Sequence, residues 1–506
     1  MQYPNRNSQK PSRSAKRAIR ILLPAIAVGL LLTGCAPVGP DYTPIEPDAP
    51  QRWSAEMAGG LTASQPDSAA LARWWTIFND PELSSLEQQA VSGNLDLQTA
   101  QSRVREARAL RGISQARLFP FVDARAAASK MRTSESGGTG TQTQLYTAGF
   151  DAGWELDIFG GLRRSVEASQ ADLEASQENL DSVLISLMAE VALSYVDVRT
   201  NQAQLTLTRA NIKTQEETYK LNRSRNQAGI IDELAVQQSL RILESSRSQI
   251  PVIETRLAAA KNSLAVLLGR QPGEFAQELT EQKAIPALPA TVAVGIPAET
   301  LRRRPDIRFA ERVLAAQTAR IGVATADLYP KFHLTGTIGL ESINSDDFFN
   351  WGSHIWRYGP NASWKVFDAG AIRQNIQVQT ARQEQALIQY QQTVLNAQEE
   401  VENALVAYAK EQRRRDSLDK AATAAQRAEL LAKDKYQAGL VDFNNVLDAQ
   451  RSLIVLQNEL SQSTGAAAAN LVRLYKSLGG GWEYASLVEE PSNQNNKGYS
   501  PQTITP

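Results

Sequence analysis

Two regions of the chain alternate apolar and polar residues, which is the pattern of a β-strand with one apolar face. In the first region the even positions of 146–156 are apolar, and the odd positions are polar residues or glycine. The second region shows the same alternation over 331–340 and again over 356–366. Because a polar stretch interrupts each region, we predict one β-hairpin at 119–157 and a second at 330–367.

A proline-free stretch follows each predicted hairpin, from Leu162 to Gln227 and from Ile372 to Gln437. Helices of about 60 residues would be about 90 Å long at 1.5 Å per residue, which is more than a single globular core needs. Apolar residues recur at heptad-like spacing in both stretches, which predicts helix-on-helix packing of the coiled-coil kind. The other positions are mostly polar, so either a solvated rod or a tube wall with water on both sides would account for them.

The same succession of elements occurs twice, with an offset of 210 residues. The phrase NQAGIID at 226–232 returns as YQAGLVD at 436–442. Because the offset stays constant along the chain, we interpret it as a tandem duplication of one unit rather than a many-repeat solenoid. Each unit is predicted to contain a first helix (82–117 or 305–328), a hairpin, and two long helices joined at one of these phrases.

The predicted organisation follows from this duplication. Its segments are a signal peptide at 1–34, an extended N-terminal segment at 35–80, a first repeat at 81–269, a connecting segment at 270–304, a second repeat at 305–479 and a C-terminal tail at 480–506. The proline-rich stretch from Pro37 to Pro50 is expected to run extended.

The first 34 residues have the composition of an export signal. Six basic residues and no acidic one precede an apolar run from Ile21 to Leu32, which is shorter than the ~20 residues of a membrane-spanning helix. The sequence LTGC that ends at Cys35 resembles the bacterial lipoprotein box, and Cys35 is the only cysteine. We therefore expect cleavage before Cys35 and a diacylglycerol on its thiol, with acyl chains as the membrane anchor. A chance cysteine after an ordinary signal peptide is the alternative.

The predicted strands carry water-compatible side chains on one face and large aromatic ones on the other. Asp151 and Glu155 lie on the polar face, whereas Trp154, Trp356 and Trp364 lie on the apolar face near strand ends, as at a membrane interface. Membrane-spanning strands must close into a barrel, because an open edge leaves backbone groups unpaired in lipid. Four strands per chain are too few for closure, so several copies are required, and strand number alone leaves two, three and four copies open. The alternative is a half-buried sheet on a water-soluble core.

Composition argues against several classes of function. The net charge of −1 does not favour a protein that binds nucleic acid by neutralising phosphates. The two histidines, His333 and His354, both fall in the predicted hairpins, so we expect neither a histidine-based catalytic triad nor a zinc site. No phosphate-binding G-x-x-x-x-G-K-[ST] motif occurs. We therefore predict that the chain is not an enzyme, uses no cofactor or metal, and depends on another protein for energy in any transport.

Several motifs carry a resemblance to one family. They are RRPDI at 303–307, LLGRQPG at 267–273, WKVFD at 364–368 and VLDAQRSL at 446–453. From Cys35 to about Tyr484 the chain resembles the TolC-type outer-membrane efflux factors, and among them the lipoproteins that serve resistance-nodulation-division (RND) multidrug pumps. The resemblance implies an α+β membrane protein and a homotrimer. Four strands per chain would form a twelve-stranded transmembrane β-barrel, continued by a long periplasmic α-helical barrel.

The same resemblance implies a function and its partners. The chain would be a passive exit duct, anchored by lipid in the outer membrane and spanning it, that conducts drugs or other small toxic molecules out of the periplasm. Its partners would be a periplasmic adaptor (membrane fusion) protein, an inner-membrane RND transporter and outer-membrane lipid, with no nucleic acid. The chain around 270–300 and the C-terminal tail would form a belt around the helical barrel. A duct for type I protein secretion and a lipid-tethered structural coiled coil are the alternatives.

The two repeated phrases mark predicted tips between long helices. Gly229 and Gly439 can adopt positive φ and end a helix, and Asp232 and Asp442 can cap the next helix by accepting backbone N–H bonds. A well-made helical turn would account for these residues by itself. The resemblance adds that the tips contact the periplasmic adaptor.

Asp448 follows the second phrase, and the first repeat has Gln238 at the equivalent position. The resemblance implies that Asp448 faces the axis at the periplasmic end of the tunnel, where three copies would form an acidic ring that attracts cations. Asn444 and Asn445 stand where relatives carry an apolar constriction or a second acid, so amide hydrogen bonds would contribute to closing this gate. The alternative is a surface aspartate paired with Arg451 on the same helix.

Overall fold

The structure is a computed structural model that describes residues 37–482. The predicted signal peptide and Cys35 lie outside the described residues, as does the tail beyond Trp482. The chain divides into two compact units. Of the described residues, the first unit contains 37–44, 106–174 and 311–388, and the second contains 45–105, 175–310 and 389–482.

In the first repeat two helices precede the hairpin and three follow it. Before this repeat, the N-terminal segment contains β1 (Leu61–Thr62), α1 (Ser68–Ala72) and a 3₁₀ helix (Trp74–Phe78). The elements of the first repeat are α2 (Pro81–Gly93), α3 (Leu95–Ala116), β2 (Phe121–Arg132), β3 (Gln142–Leu156), α4 (Gly161–Gln227), α5 (Glu233–Arg247) and α6 (Gln249–Leu267). The connecting segment contains α7 (Pro272–Phe275), β4 (Val292–Ala293) and α8 (Pro297–Arg303).

The second repeat has fewer helices. Its elements are α9 (Pro305–Ala326), β5 (Lys331–Ser342), a 3₁₀ helix (Trp351–Ser353), β6 (His354–Ser363), α10 (Ala371–Gln437) and α11 (Phe443–Ser477). Helices α4 and α10 each have 67 residues, which corresponds to about 100 Å at 1.5 Å per residue. Within residues 37–482, no helix combines the length and the apolar character needed to cross a membrane.

The single helix predicted over 82–117 is instead broken at Asn94. The backbone of Asn94 is extended (φ −65°, ψ 130°), and its side-chain oxygen accepts a hydrogen bond from an N–H in the first turn of α3. Its side-chain amide donates to the carbonyl of Leu267 at the end of α6 (2.9 Å). The equivalent residue of the second repeat, Arg304, donates to the carbonyl of Ser477 at the end of α11 (2.6 Å). The duplication therefore preserves this contact although the residue types differ.

The second long helix of the first repeat, expected to be continuous, is interrupted at Ser248. Pro251 explains the break, because a proline lacks the N–H of a helical hydrogen bond and its ring clashes with the carbonyl four residues earlier, here that of Arg247. The second repeat has Ser461 at the position of Pro251, and α11 runs unbroken.

Four antiparallel strands form one sheet in the order β2-β3-β5-β6. The two hairpins have the same register once 210 is added to each residue number, since Phe121 pairs with Gly153 and Lys331 pairs with Ser363. Strands β3 and β5 join the two repeats, and we call this junction the internal seam. Within the described residues, β2 and β6 each have a strand partner on one side only, so both edges of the sheet are open.

The main hydrophobic core lies in the second unit. Trp74 stacks on Tyr475 with 5.7 Å between ring centroids, and Trp75 packs against Trp74 edge to face. All three are buried with leucines of α2, α6 and α11. The N-terminal and connecting segments meet beside this core, where β1 and β4 form a short parallel pair with Leu61 opposite Val292.

Polar side chains of α4 hold the connecting segment against the second unit. The guanidinium of Arg199 is fully buried and donates to the carbonyl of Glu281 (2.8 Å). The side-chain amide of Gln202 donates to the carbonyl of Leu279 (2.7 Å). A buried donor that loses its acceptor costs about 1–3 kcal/mol, so these bonds fix the path of the segment along α4.

Glu87 is an acidic residue inside the same core. Its side chain on α2 is fully buried, and neither carboxylate oxygen has a hydrogen-bond partner within the described residues. Burial raises the pKa of Glu87 well above its ordinary value, because the charged form is desolvated. The stability that this group contributes is therefore present below the unfolded pKa and is lost as the pH rises through the folded pKa.

We expect Glu87→Met to raise the midpoint of thermal unfolding at about pH 8 and to change it less at about pH 5. Methionine has a similar side-chain volume to glutamate. It also removes the unfavourable free energy of ionising a buried carboxyl, which matters most at high pH. Gln88→Met, at an exposed neighbour on the same helix, is the matched control and should leave both midpoints unchanged. Equal shifts at both pH values would mean that Glu87 does not cause the pH dependence.

Candidate functional site

Gly229 and Gly439 end α4 and α10 with the same backbone geometry. Their φ angles are +70° and +74°, in the left-handed region that favours glycine. In each tip the N–H of the next residue donates to the carbonyl five residues before it (2.9 and 2.8 Å), as in a Schellman motif. A Cβ at either glycine would meet nothing within 4 Å. The backbone conformation, and not close packing, therefore requires glycine here.

Asp232 and Asp442 are the N-cap residues of α5 and α11, but only one of them uses its side chain. The carboxylate of Asp232 accepts a hydrogen bond from the N–H of Ala235 (3.2 Å). Asp442 makes no side-chain capping bond, so the predicted carboxylate cap is wrong for this residue. Its backbone carbonyl instead accepts the backbone N–H (3.1 Å) and the side-chain amide (3.4 Å) of Asn445. The Asp442 side chain stays exposed.

The two tips pack against each other inside the second unit. The hydroxyl of Tyr436 donates to the side-chain oxygen of Asn222 (3.0 Å), and the guanidinium of Arg225 lies 5.1 Å from the centroid of the Tyr436 ring. Phe443 and Val446 of α11 are buried in the same small cluster. The end of α4 thus contacts the end of α10 and the start of α11. A conformational change in one tip would therefore alter the packing of the other.

Three apolar side chains remain exposed at the tips. Ile230, Leu234 and Leu440 are 69%, 60% and 73% exposed. We call them the tip patch. The sequence pattern predicted the glycines and acids of the tips but not these residues, although apolar residues next to a turn glycine were a usable signal. Exposed apolar residues that cluster are typical of a protein contact surface.

The predicted gate residues share one exposed face of α11. Asn444, Asn445 and Asp448 are all exposed, and their spacing of three and four residues keeps them on one side of the helix. Asp448 is 79% exposed, and the nearest guanidinium nitrogen of Arg451 is 3.9 Å from its carboxylate. That distance is too long for a hydrogen bond, and an exposed pair of this kind contributes little. The carboxylate therefore remains available to ions or to another chain.

Trp154 and Trp364 occupy equivalent positions in the two repeats and make equivalent hydrogen bonds. The indole N–H of Trp154 donates to the carbonyl of Leu118 (2.9 Å), and that of Trp364 donates to the carbonyl of Leu328 (3.0 Å). Trp364 directly follows β6 and is not part of the strand. Both rings are exposed while their polar atoms are satisfied, which suits the boundary between lipid and water.

Exposed apolar side chains continue across the sheet from Trp356. This residue is 71% exposed and lies opposite Ile338, which lies opposite Phe150. Trp364 lies eight positions after Trp356, which is about 27 Å along an extended chain. A strand tilted by about 40° rises about 20 Å over that path, close to the ~25 Å apolar band of a transmembrane barrel. Trp351, 85% exposed just before β6, adds to this surface. Trp351 was not predicted from the alternating pattern, because it lies between the two strands and not in either of them.

The opposite face of the sheet is polar. Arg125 pairs with the carboxylate of Asp151 at 3.0 Å, and the hydroxyl of Thr337 donates to Asp151 at 2.7 Å. A cavity of about 960 Å³ opens in the first unit, with Glu155 and Lys331 among its lining residues. Within residues 37–482, no group of three or more His, Cys, Asp or Glu side chains is arranged to hold a metal ion.

The first described residues of the chain are held against the first unit. Arg164 of α4 is buried, and its guanidinium donates to the carbonyls of Val38 (3.2 Å) and Gly39 (3.3 Å). The same guanidinium donates to the carboxylate of Asp41 (2.6 Å). The chain that follows Cys35 is thereby fixed to the first turn of α4. Cys35 itself lies outside the described residues.

One family model matches the chain twice, and several known proteins are similar to it in sequence. A family model described as outer membrane efflux protein matches residues 86–270 and 296–480, two ranges that are again 210 residues apart. Nodulation protein T of Rhizobium leguminosarum bv. trifolii is 34% identical over 459 residues, which are 90% of this chain and 96% of that protein. The cation efflux system protein CusC of Escherichia coli O6:H1 is 33% identical over 472 residues, which are 91% and 99% of the two chains.

A solved structure has the same fold. The outer-membrane channel OprN matches with a TM-score of 0.82 and 36% identity, over 88% of this chain and 99% of that one. The resemblance to TolC-type efflux factors is confirmed by these matches. The predicted fold class is confirmed as well, because this mostly helical chain with a four-stranded sheet matches the fold of an outer-membrane channel over 88% of its length.

Proposed function

Because the chain belongs to the outer membrane efflux protein family, we propose that it is the outer-membrane exit duct of a tripartite RND-type efflux system. It passively conducts drugs or other small toxic molecules out of the periplasm. An inner-membrane RND transporter supplies the energy, and a periplasmic adaptor protein links the two. The observation that carries the proposal is the combination, within one duplicated chain, of an open sheet with an exposed apolar face and two 67-residue helices.

The open sheet edges support assembly into a homotrimer. Unpaired backbone groups at the edges of β2 and β6 would each cost several kcal/mol in lipid. The larger sheet of the described residues has four strands, too few for a barrel, whereas three copies supply the twelve strands that the family resemblance implies. The face with Phe150, Ile338 and Trp356 contacts outer-membrane lipid, with Trp154 and Trp364 at one interface. The face with Asp151 lines the water-filled interior.

A covalent lipid on Cys35 provides a second attachment to the outer membrane. The lipoprotein box supports this assignment. The contacts of Arg164 support it too, because they hold the segment just after Cys35 beside the base of β3 and α4, so the acyl chains need no long tether. An acyl chain contributes about 0.8 kcal/mol per buried CH₂ to membrane attachment.

The tips are the proposed docking surface for the adaptor. Gly229, Asp232, Gly439 and Asp442 set the geometry of the two turns, and the tip patch supplies the apolar contact area. The mixture of exposed carboxylates with exposed leucine and isoleucine side chains fits a partner that offers both basic and apolar groups.

Asp448, with Asn444 and Asn445, forms the proposed gate at the periplasmic end. Three copies of the exposed carboxylate around a three-fold axis would concentrate divalent cations there. We expect Asp448→Ala to raise single-channel conductance, or to weaken block by divalent cations, in planar bilayers. Gln238→Ala, at the equivalent position of the first repeat, is the matched control and should leave both unchanged. Unaltered currents in Asp448→Ala would remove Asp448 from the gate.

Export by living cells tests the function as a whole. Cells that lack the chain should accumulate a fluorescent efflux dye, and expression of the chain should restore low accumulation. If cells that lack the chain accumulate no more dye than cells that have it, but retain a secreted protein, the duct serves type I secretion instead. If neither changes, a structural role as a lipid-tethered coiled coil replaces the proposal.

A further inference from the structure

One aromatic ring lies on the polar face of the sheet. Phe121, the first residue of β2, is opposite Gly153 of β3, on the face that carries Asp151. A Cβ at Gly153 would lie 2.6 Å from the tip of the Phe121 ring, so the ring is folded over this glycine. The ring nevertheless remains 59% exposed. Glycine at 153 therefore lets the ring lie against the strand while much of it stays open to the interior of the proposed duct.

The ring lines the cavity of about 960 Å³ at the end of the sheet nearest the helices. The last residues of α3 and α9 and the first residues of α4 form one side of this cavity. The strand residues of β5 and β6 on its other side all belong to the polar face: Lys331, His333, Thr335 and Asn361. The cavity therefore opens on the inner side of the proposed duct, and its volume is in the range of small-molecule sites, about 300–1,000 Å³.

Two carboxylates lie on the same face close to the ring. Asp123 is two residues further along β2 and exposed, and Glu155 of β3 lines the cavity. Within residues 37–482 neither carboxylate makes a hydrogen bond or an ion pair. Lys331 is near Glu155, but its ammonium binds the carboxylate of Asp327 (2.9 Å). The described residues thus place two unpaired carboxylates beside the ring.

The second hairpin carries different chemistry at the equivalent positions. Both hairpins have the same register, so the backbone would admit the same residues twice. The four equivalent pairs are Phe121 and Lys331, Asp123 and His333, Gly153 and Ser363, and Glu155 and Lys365. The first repeat thus has a ring, a glycine and two acids where the second has two lysines, a histidine and a serine. This difference between hairpins that otherwise match indicates a role that the fold itself does not require.

We propose that Phe121, Asp123 and Glu155 form a binding site for organic cations that also carry an aromatic or other apolar group. We call these three residues the ring site. A cationic group over the open part of the ring is attracted by its negative π-face, and the two carboxylates strengthen this attraction. The apolar part of the same molecule fits the cavity, where Phe119 is also exposed. The inference rests on the proposed duct and adds a class of cargo that the duct holds in transit.

The exposure of the ring site fits transit rather than retention. An exposed ring and exposed or half-buried carboxylates hold a cation weakly, because water competes for each charge. A site in a channel must bind weakly enough to release what it binds. Arg117 also lines the cavity, but it is exposed, so its guanidinium can extend into water and need not oppose a bound cation.

Block of single-channel currents in planar bilayers tests the ring site. The probes are benzyltrimethylammonium, tetramethylammonium, which lacks the ring, and benzenesulfonate, which carries the opposite charge. Each probe is added on the extracellular side of the purified, lipidated protein with the substitution Asp448→Ala, so that cation binding at the proposed gate does not contribute. We expect half-block by benzyltrimethylammonium at a concentration at least about threefold lower than by tetramethylammonium.

Further substitutions in the same background locate the block. Phe121→Leu removes the aromatic face and keeps an apolar side chain, whereas Asp123→Asn with Glu155→Gln removes both charges. Each change should raise the half-blocking concentration of benzyltrimethylammonium about three- to tenfold. Glu341→Gln is the matched control and should leave it unchanged, because Glu341 is an exposed carboxylate of the same face opposite Thr147, eight residues along β3 from Glu155.

The outcomes separate the ring site from the duct. If the channels conduct but the block is the same in Phe121→Leu and in the double carboxylate variant, the ring site does not bind organic cations. Stronger block by benzenesulfonate would also overturn the ring site, and would assign the cavity to anions through Arg117. If the protein gives no conductance at all, the proposed duct fails and the ring site fails with it.

Discussion

Gly439→Pro should abolish export while the protein still assembles in the outer membrane. Proline fixes φ near −65°, whereas Gly439 has φ +74°. It also removes the N–H that Gly439 donates to the carbonyl of Tyr436 (3.1 Å). The turn must therefore rearrange, at a local cost of about 3 kcal/mol or more. The tip patch and the start of α11 move with it, so the adaptor would meet a different surface.

The structure offers two controls for this substitution. Gly439→Ala should retain part of the export activity. A Cβ at this position meets no neighbour, so the only cost is the left-handed backbone conformation of an alanine, about 1–2 kcal/mol. Glu233→Pro places a proline at the first position of α5 in the other tip, where proline is tolerated after an extended Asp232 (ψ 164°). Export is measured as drug resistance, and assembly as the amount of trimer in purified outer membranes. Full resistance in Gly439→Pro would mean that tip geometry does not determine docking.

Arg304→Met should strongly destabilise the second unit. The buried guanidinium donates to the carbonyl of Ser477, to the carboxylate of Asp306 (2.8 Å) and to that of Glu400 (2.7 Å). Methionine fills similar space but leaves one carbonyl and two carboxylates without this donor. Removing one partner of a buried ion pair costs about 3–5 kcal/mol. Because both carboxylates are partly exposed, we expect about 2–4 kcal/mol here.

Arg302→Met is the matched control for Arg304→Met. Arg302 pairs with Glu46 at 2.8 Å, but both side chains are more than half exposed, so its loss should cost less than about 1 kcal/mol. Thermal unfolding of the purified protein, followed by far-UV circular dichroism, compares the two variants. Similar midpoints for both would contradict the role of Arg304 as the residue that joins α9 to the end of α11.

The duplication explains how much of the fold could be predicted from the sequence. A constant offset keeps element lengths equal, so the alternation at 146–156 and the proline-free stretches were enough to place the hairpins and the long helices. The breaks at Asn94 and Ser248 were missed because each depends on one residue acting against a helical pattern. The side-chain amide of Asn94 donates to the carbonyl of Leu267, and this partner is far away in the sequence. Pro251 is a signal for the second break in the sequence itself, because proline interrupts the helical hydrogen bonds of the preceding turn.

The sequence predicted those parts of the candidate site whose conformation depends on neighbouring residues of the chain. A glycine before an aspartate indicates a helix end and a new start, and Gly229, Gly439 and Asp232 behave in this way. Asp442 has the same sequence context but does not cap with its side chain, because Asn445 donates to its backbone carbonyl instead. The tip patch could not be predicted from periodicity, since exposure depends on which helices pack around the tips.

Planar-bilayer recording of the purified, lipidated protein decides whether the chain forms a conducting duct. We expect discrete, stable conductance steps from the assembled protein, with block by divalent cations applied from the periplasmic side. The variants Asp448→Ala and Gln238→Ala, at equivalent positions of the two repeats, are recorded under the same conditions. If protein that is trimeric and inserted in the bilayer gives no conductance under any applied voltage, with or without Asp448, the chain is not an exit duct.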